Sequence, residues 1–252
     1  MSGKSGLATA SYREMSEFER HAMNAQEAHE LPAGYRLTEL GPMPEDWQVV
    51  RLGEVLYEVP LNARRILIRD DQRYMRIVTK LYGKGIELKD VVAGAQISSR
   101  VMYRVEAGDF LFSKINIRKG AYGVVTERLA GAVVTTEHPI LRARDELLNI
   151  HFLSYYLMQP HSWELFKLHA KGFSGKERVK VREFLSVSLP LPPLPEQKVI
   201  VQVLRTVEEA KEATERVIAA LRQLKKSLMR YLFTYGPVPL DQAESIPLRE
   251  TE

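Results

Sequence analysis

The sequence predicts an α+β protein: one mixed α/β domain on a twisted, mainly antiparallel sheet, followed by one long C-terminal coiled-coil helix. Three observations carry this expectation. Residues 47–141 break into short β-branched and apolar runs divided by charged turns, a spacing that favours antiparallel strands over alternating strand and helix units. A proline run, Pro190-Leu191-Pro192-Pro193-Leu194-Pro195, then ends that pattern. Beyond it the apolar residues step by three and four, the period of a helix carrying one continuous apolar seam.

Taken in order, residues 1–42 read as an N-terminal helical extension. Small polar residues lead into a helix over 11–31 whose stripe of Met15, Phe18, Ala22 and Ala25 is weak. Gly34, Gly41, Pro42 and Pro44 punctuate the boundary with the main domain, placed at 43–189. Strands are expected at 47–52, 75–78, 95–105, 109–112, 123–126 and 132–135, and helices at 147–158 and 162–168. The aromatics of those helices, Phe152, Tyr155, Tyr156, Trp163 and Phe166, are expected to pack. Residues 171–182 form a basic loop with two glycines, and 184–191 a closing strand. The hinge and helix occupy 190–236, and the acidic, proline-containing tail at 237–252 has no periodicity and is expected to be flexible.

Both ends of the long helix are marked. Pro195 suits a first helical position, where a missing N–H costs nothing, and Glu196 sets negative charge against the positive end of the helix dipole. Lys225, Lys226 and Arg230 crowd the last turns, Gly236 is a C-cap candidate, and Pro237 forbids continuation. The seam comprises Ile200, Val203, Val207, Ala210, Thr214, Val217, Leu221, Leu224, Leu228 and Tyr231. It runs for about five heptads, or roughly 50 Å, with Thr214 as its polar break. One helix cannot bury such a seam alone. A partner helix is expected, from this chain or a second one; the alternative is a helix packed on its own domain.

Composition narrows the classes. A chain of 252 residues with 45% hydrophobic and 27% charged content can hold one sizeable core plus an accessory element. No apolar run approaches the roughly 18 residues that cross a bilayer, and no apolar signal core opens the chain, so no membrane association and a cytoplasmic location are expected. Zero cysteines exclude disulfides, thiol catalysis and cysteine-held metals. A net charge of +4 permits a nucleic-acid partner without requiring one.

Motifs of catalysis are missing. Gly175-Lys176 is followed by Glu177, so no phosphate-binding loop with a magnesium-binding hydroxyl exists. The six histidines, His21, His29, His138, His151, His161 and His169, lack ligand spacing, and no metal or cofactor is expected. There is neither a glycine-rich S-adenosylmethionine loop nor the Asn/Asp-Pro-Pro-aromatic tetrapeptide of an amino-methylating enzyme. One enzyme alternative stays open: a magnesium nuclease in which Asp70 or Asp71 joins Glu87 and Lys89. Glu-x-Lys triplets are also common on solvated surfaces.

Basic residues interleaved with aromatics and amides point elsewhere. Arg64, Arg65, Arg69, Arg73, Tyr74 and Arg76 form one cluster; Lys114, Asn116, Arg118, Lys119 and Tyr122 a second; Lys171, Lys176, Arg178 and Lys180 a third. Lysine and arginine neutralise phosphates and release counterions, while arginine and asparagine read base edges in the major groove. The candidate DNA contacts are accordingly Arg73, Tyr74 and Arg76 with all of the second and third clusters. A solvated charged rim is the alternative, as is a coiled-coil adaptor without DNA contact.

Several stretches together resemble a known family. They are Met43-Pro44-Glu45-Asp46-Trp47 with Leu52-Gly53-Glu54-Val55, the run from Val105-Glu106-Ala107-Gly108-Asp109 through Phe110-Leu111-Phe112-Ser113-Lys114, and Gly120-Ala121-Tyr122-Gly123. The fourth is Pro190 to Gln197 leading into a heptad helix that ends in Leu224-Lys225-Lys226-Ser227-Leu228-Met229. In order and spacing these resemble the specificity (S) subunit of type I restriction–modification systems, over residues 43–235. The resemblance implies a non-catalytic subunit: a target-recognition domain reads a short half-site of double-stranded DNA, and a long helix acts as a spacer. Adenine methylation and ATP-dependent cleavage would belong to separate modification (M) and restriction (R) subunits. A complete subunit of that family has two such units with antiparallel helices. This sequence holds one, so it resembles a half-length form that self-associates or meets a second half-subunit. A homodimer would then read an interrupted palindrome.

Overall fold

The computed structural model describes residues 31–169 and 178–237. Lys171, Lys176, the tail from 238 and all but the last residue of the helix expected over 11–31 lie outside them. The chain divides into two compact units, Met1–Val201 and Gln202–Glu252.

In the first unit a hairpin of β1 (Tyr35–Thr38) and β2 (Gly41–Pro44) comes first. Part of the segment assigned to a helical extension is therefore strand. The Thr38 hydroxyl accepts the Leu40 N–H at 3.2 Å and donates to the Gly41 carbonyl at 2.8 Å, closing a turn that leaves Gly41 at φ +99. β3 (Gln48–Arg51), the short helix α1 (Leu52–Val55), β4 (Leu56–Glu58), the short helix α2 (Leu61–Arg64) and β5 (Arg65–Leu67) follow. Next come β6 (Arg73–Thr79), β7 (Ile86–Ala93), β8 (Val101–Arg104), β9 (Phe110–Phe112), β10 (Tyr122–Val124), β11 (Val133–Val134) and β12 (Ile140–Ala143). Helices α3 (Ile150–Leu157), α4 (Pro160–His169) and α5 (Val181–Leu185), then β13 (Ser188–Leu191), complete the domain before α6 (Leu194–Tyr235).

The strands form two principal sheets, ordered β10-β9-β12-β4 and β5-β8-β11-β6-β7, with β13 paired to β3 and β1 to β2. Every pairing is antiparallel except β11 with β6. This is the mixed, mainly antiparallel architecture the sequence predicts, distributed over several sheets.

β9 shows why the core sits where it does. Period-two alternation sends Phe110 and Phe112 to one face and Leu111 to the other, and all three are fully buried. Phe110 and Phe112 join a cluster with Leu52, Leu153, Phe166 and Leu189, whereas Leu111 joins Val105, Val125 and Ile140. A strand buried on both faces reads as an unbroken apolar run. Phe184 of α5 stacks on Phe112 with centroids 4.4 Å apart, on Phe166 at 5.3 Å and on Phe110 at 6.0 Å.

Two expected strands are cut short. Over 95–105 only Val101–Arg104 is strand. Gly94 presses so closely on the preceding turn that a Cβ there would lie 2.0 Å from the Arg69 carbonyl oxygen, and the Gln96 side chain accepts the Ala93 N–H at 3.2 Å. Over 184–191 the first residues belong to α5 instead. There Glu183 accepts the Lys180 N–H at 2.8 Å, satisfying a first-turn donor and fixing the helix start.

α6 begins and ends on the signals in its sequence. Gly236, at φ +79, donates its N–H to the Leu232 carbonyl at 2.9 Å, a left-handed C-cap. At the start, Gln197 is completely buried. Its side-chain amide donates to the carbonyls of Pro192 at 2.8 Å and Leu147 at 2.9 Å, and its oxygen accepts the Asn149 N–H at 2.8 Å. Glu196 accepts the Trp47 indole N–H at 3.0 Å. The first turn is thereby tied to both the proline hinge and the segment before α3.

Candidate nucleic-acid interface

The second and third basic clusters meet. After β9 the chain makes a tight turn over Ile117–Lys119, anchored by fully buried Ile117 and closed by Gly120 at φ +70. Lys114, at its start, donates its ammonium to the Thr136 carbonyl at 2.7 Å and its N–H to the Glu137 carbonyl at 3.1 Å. The Val179 N–H donates to the Lys114 carbonyl at 2.9 Å, and Arg178 pairs with Glu137 at 2.9 Å. Residues from three segments, Lys114, Glu137 and Arg178, thus share one surface. Beside them Thr79 and the His138 ring are 3.3 Å apart. Burial pulls the His138 pKa down, as does Lys114, while Glu137 opposes the shift.

Of the second cluster, Lys119 is exposed, Asn116 and Arg118 are half-buried, and Asn116 accepts the Lys119 N–H through its carbonyl. Lys180 is exposed at the start of α5. Tyr122 is a correction: it is fully buried, its hydroxyl donates to the Ser154 carbonyl at 3.2 Å, and burial pushes its pKa up. It packs the core and offers no face to a base.

Three of the five arginines of the first cluster are paired with carboxylates, whereas Arg65 and Arg73 are exposed. Arg64 contacts Glu106 and lies 3.7 Å from Asp109. Arg142 adds bonds of 2.8 Å to both carboxylates, and burial pushes the Asp109 carboxyl up against the pull of the two guanidiniums. Arg76 forms a two-pronged bond with Asp90, 2.7 Å on each side, and Arg69 pairs with Asp71 at 3.1 Å. Arg73 is exposed and donates to the Val91 carbonyl at 2.8 Å. Tyr74 is the second correction: only 6% exposed, its hydroxyl accepts the Arg69 N–H and donates to Gln72, both at 3.0 Å. Arg73 is exposed while Tyr74 turns inward to join Ile68, Ile97 and Met102 in a buried cluster, a placement the polar and apolar order of Arg-Tyr-Met-Arg does not announce.

The nuclease constellation does not assemble. Glu87 stands opposite Val78, whereas Asp70 and Asp71 precede Arg73 at the other end of the same hairpin, at least five strand residues or about 17 Å away. Asp70 is paired with Arg100, Asp71 with Arg69, and Glu87 with Lys80. Among the described residues no three histidine or acidic side chains are placed to hold a metal ion.

Sequence reading missed the turn between β6 and β7, Lys80-Leu81-Tyr82-Gly83-Lys84-Gly85. Its Tyr82 and Lys84 are exposed, the Tyr82 N–H bonds to the Lys119 carbonyl, and the signal was present: an aromatic and two lysines set among glycines between two strands.

In the helix seam, Ile200 is half-buried against the domain core, next to buried Val201. Beyond it Val203, Val207, Val217, Leu221, Leu224 and Leu228 are 52% to 62% exposed, Ala210 and Thr214 are exposed as well, and Tyr231 is half-buried. No described helix is long and apolar enough to cross a membrane.

Residues 44–223 match the family model described as the type I restriction modification DNA specificity domain. Among curated proteins, the chain is 27% identical over 216 residues to a protein assigned as the specificity subunit of type I restriction enzyme MjaX from Methanocaldococcus jannaschii, covering 80% of this chain and 49% of that one. It is 25% identical over 196 residues to the MjaVIII specificity subunit from the same organism, covering 77% and 43%. The chain therefore spans about half the length of the curated relatives it matches. A solved HsdS subunit from Thermoanaerobacter tengcongensis shares the fold at a TM-score of 0.54, with 22% identity over 79% of this chain and 51% of that one. The family match takes in most of the sheet-bearing unit and most of the long helix, and with it the chain belongs to the type I restriction modification DNA specificity domain family.

Proposed function

We propose that this chain reads one half-site of a bipartite DNA sequence. Its α6 seam pairs with a second helix of the same kind, from another copy or another half-subunit, and the pair docks an adenine methyltransferase subunit, with a restriction subunit as a further partner. The family match over 44–223 carries the reading. Two features of the fold support its parts. Lys119 and Lys180 present exposed cations on one domain, suited to phosphate neutralisation. The exposed leucines and valines of α6 repeat at the spacing of a helix–helix seam, and apolar surface of that extent gains by association.

The test is to co-express the chain with its neighbouring methyltransferase in a methylation-free host and read N6-methyladenine by single-molecule sequencing. An interrupted palindrome appearing only with this chain supports the reading with twofold pairing. An asymmetric bipartite motif assigns the second half-site to another half-subunit. No motif, with both proteins soluble and associated, refutes it in favour of an adaptor without DNA contact.

A further inference from the structure

Tyr82 is the one non-glycine residue at positive φ among the described residues, at +62. A side chain in that region is crowded by its own backbone, and such strain persists only where the surroundings hold it. The chain path does not require tyrosine here, since glycine or asparagine takes the same conformation at lower cost.

The surroundings do hold it. Tyr82 donates its N–H to the Lys119 carbonyl at 2.7 Å, Gly83 to the Gly120 carbonyl at 2.9 Å, and Lys80 to the Gly85 carbonyl at 2.8 Å. A Cβ on Gly83 would come 2.9 Å from Met158, one on Gly120 2.7 Å from the Trp163 ring, and one on Gly123 2.9 Å from Gly85. Four glycines therefore seat the hairpin tip on the turn after β9, on β10 and on α4.

What this rigid mount presents is an aromatic ring, 61% exposed. One side leans on Trp163, with centroids 6.1 Å apart and planes at 48°. Trp163 is itself fixed by its indole N–H, which donates to the Leu157 carbonyl at 2.7 Å. Lys84, two residues on, and Lys119, whose carbonyl holds Tyr82, are both exposed. An exposed aromatic ring with exposed lysines two residues on and in the turn that holds it is the chemistry that stacks on a nucleotide and neutralises nearby phosphates.

We propose that Tyr82, Lys84 and Lys119 form a DNA-contact element of the recognition domain, the ring stacking on an exposed base or sugar while the lysines bind adjoining phosphates. This rests on the DNA-reading function proposed above. The backbone strain at Tyr82 is tolerated because the ring is needed at that place.

The test measures the full chain, with its methyltransferase, on a duplex carrying the sequenced motif and on a scrambled duplex, across a salt series. Tyr82→Gly removes ring and strain together. It should melt at or above the wild-type temperature yet bind the motif about ten- to a hundredfold more weakly, while Tyr82→Phe stays within about threefold. The double variant Lys84→Ala and Lys119→Ala should lower the slope of log affinity against log salt by about two per recognition domain. If Tyr82→Gly binds like wild type, or loses affinity only together with its melting temperature, the ring is a packing residue and the inference fails while DNA reading stands. If the wild-type complex prefers neither duplex, the DNA-reading function falls and this element with it.

Discussion

Gln197 offers the sharpest test of how the domain holds the start of its long helix. The side chain is completely buried and makes three bonds of 2.8–2.9 Å, to the Pro192 and Leu147 carbonyls and from the Asn149 N–H. Gln197→Ala removes all three, leaving the buried Pro192 carbonyl and the part-buried Leu147 carbonyl and Asn149 N–H without these partners. A hydrogen bond contributes about 1 kcal/mol net, and an orphaned buried partner costs about 1–3 kcal/mol. The expected loss is therefore about 3–4 kcal/mol, a large share of the roughly 5–15 kcal/mol by which a domain is stable. Gln197→Glu keeps the shape but turns the donor that faced two carbonyls into an acceptor. Its penalty should grow as pH rises past the ordinary glutamate value of about 4.3, because only the protonated acid can donate. Urea unfolding followed by tryptophan fluorescence reads both effects, since Trp47 is bonded to the neighbouring Glu196. A loss below about 1 kcal/mol for Gln197→Ala would show that the corner relaxes or admits water, and the clamp would not be what fixes the helix start.

Three further outcomes follow from other parts of the fold. Because burial holds the His138 pKa below its usual value, the unfolded chain binds the proton more readily. Stability should be fully present above about pH 6.5 and fall as pH drops below it, with a shallower fall in His138→Gln; His161, shifted the same way, supplies a remainder. Leu221→Asp with Leu224→Asp places two carboxylates in the seam, and light scattering should report loss of helix pairing while near-UV circular dichroism of the recognition domain is unchanged. Gly120→Ala sets a Cβ at φ +70 and 2.7 Å from Trp163, so it should cost about 2 kcal/mol or more, lowering Tm by about 4–8 °C.

What was legible in the sequence is what depends on local rules. The start and stop of α6, the apolar run of β9 and the open seam all follow from residue type and spacing. Tyr74 and Tyr122 were misread because an aromatic beside arginine or lysine looks the same whether it faces solvent or core, and only the sheet decides. β7 escaped for the opposite reason. Its Glu87, Lys89 and Asp90 obscure the β signal, yet it is the edge strand of its sheet, where charge guards against pairing with another chain. A register shift between Arg76 and Ile77 further disturbs the alternation between β6 and β7.

The same distinction bears on the proposed DNA contact. Counting basic residues treated all three clusters alike, but a guanidinium already bonded to a carboxylate attracts phosphate far less than a free one. Arg64, Arg142, Arg69, Arg76 and Arg100 all face acids within the fold, and the carboxylates beside them repel the same phosphates. Thirty-six cations against thirty-two anions leave a net charge of only +4, so affinity has to come from placement. Lys84, Lys119 and Lys180 are exposed with no carboxylate within ion-pair distance among the described residues. If the chain meets DNA as proposed, the glycine-mounted tip and the turn beneath it contribute unpaired cations to the pull on the backbone. The arginine-rich strand that stands out in the sequence mainly holds the sheet and its turns together.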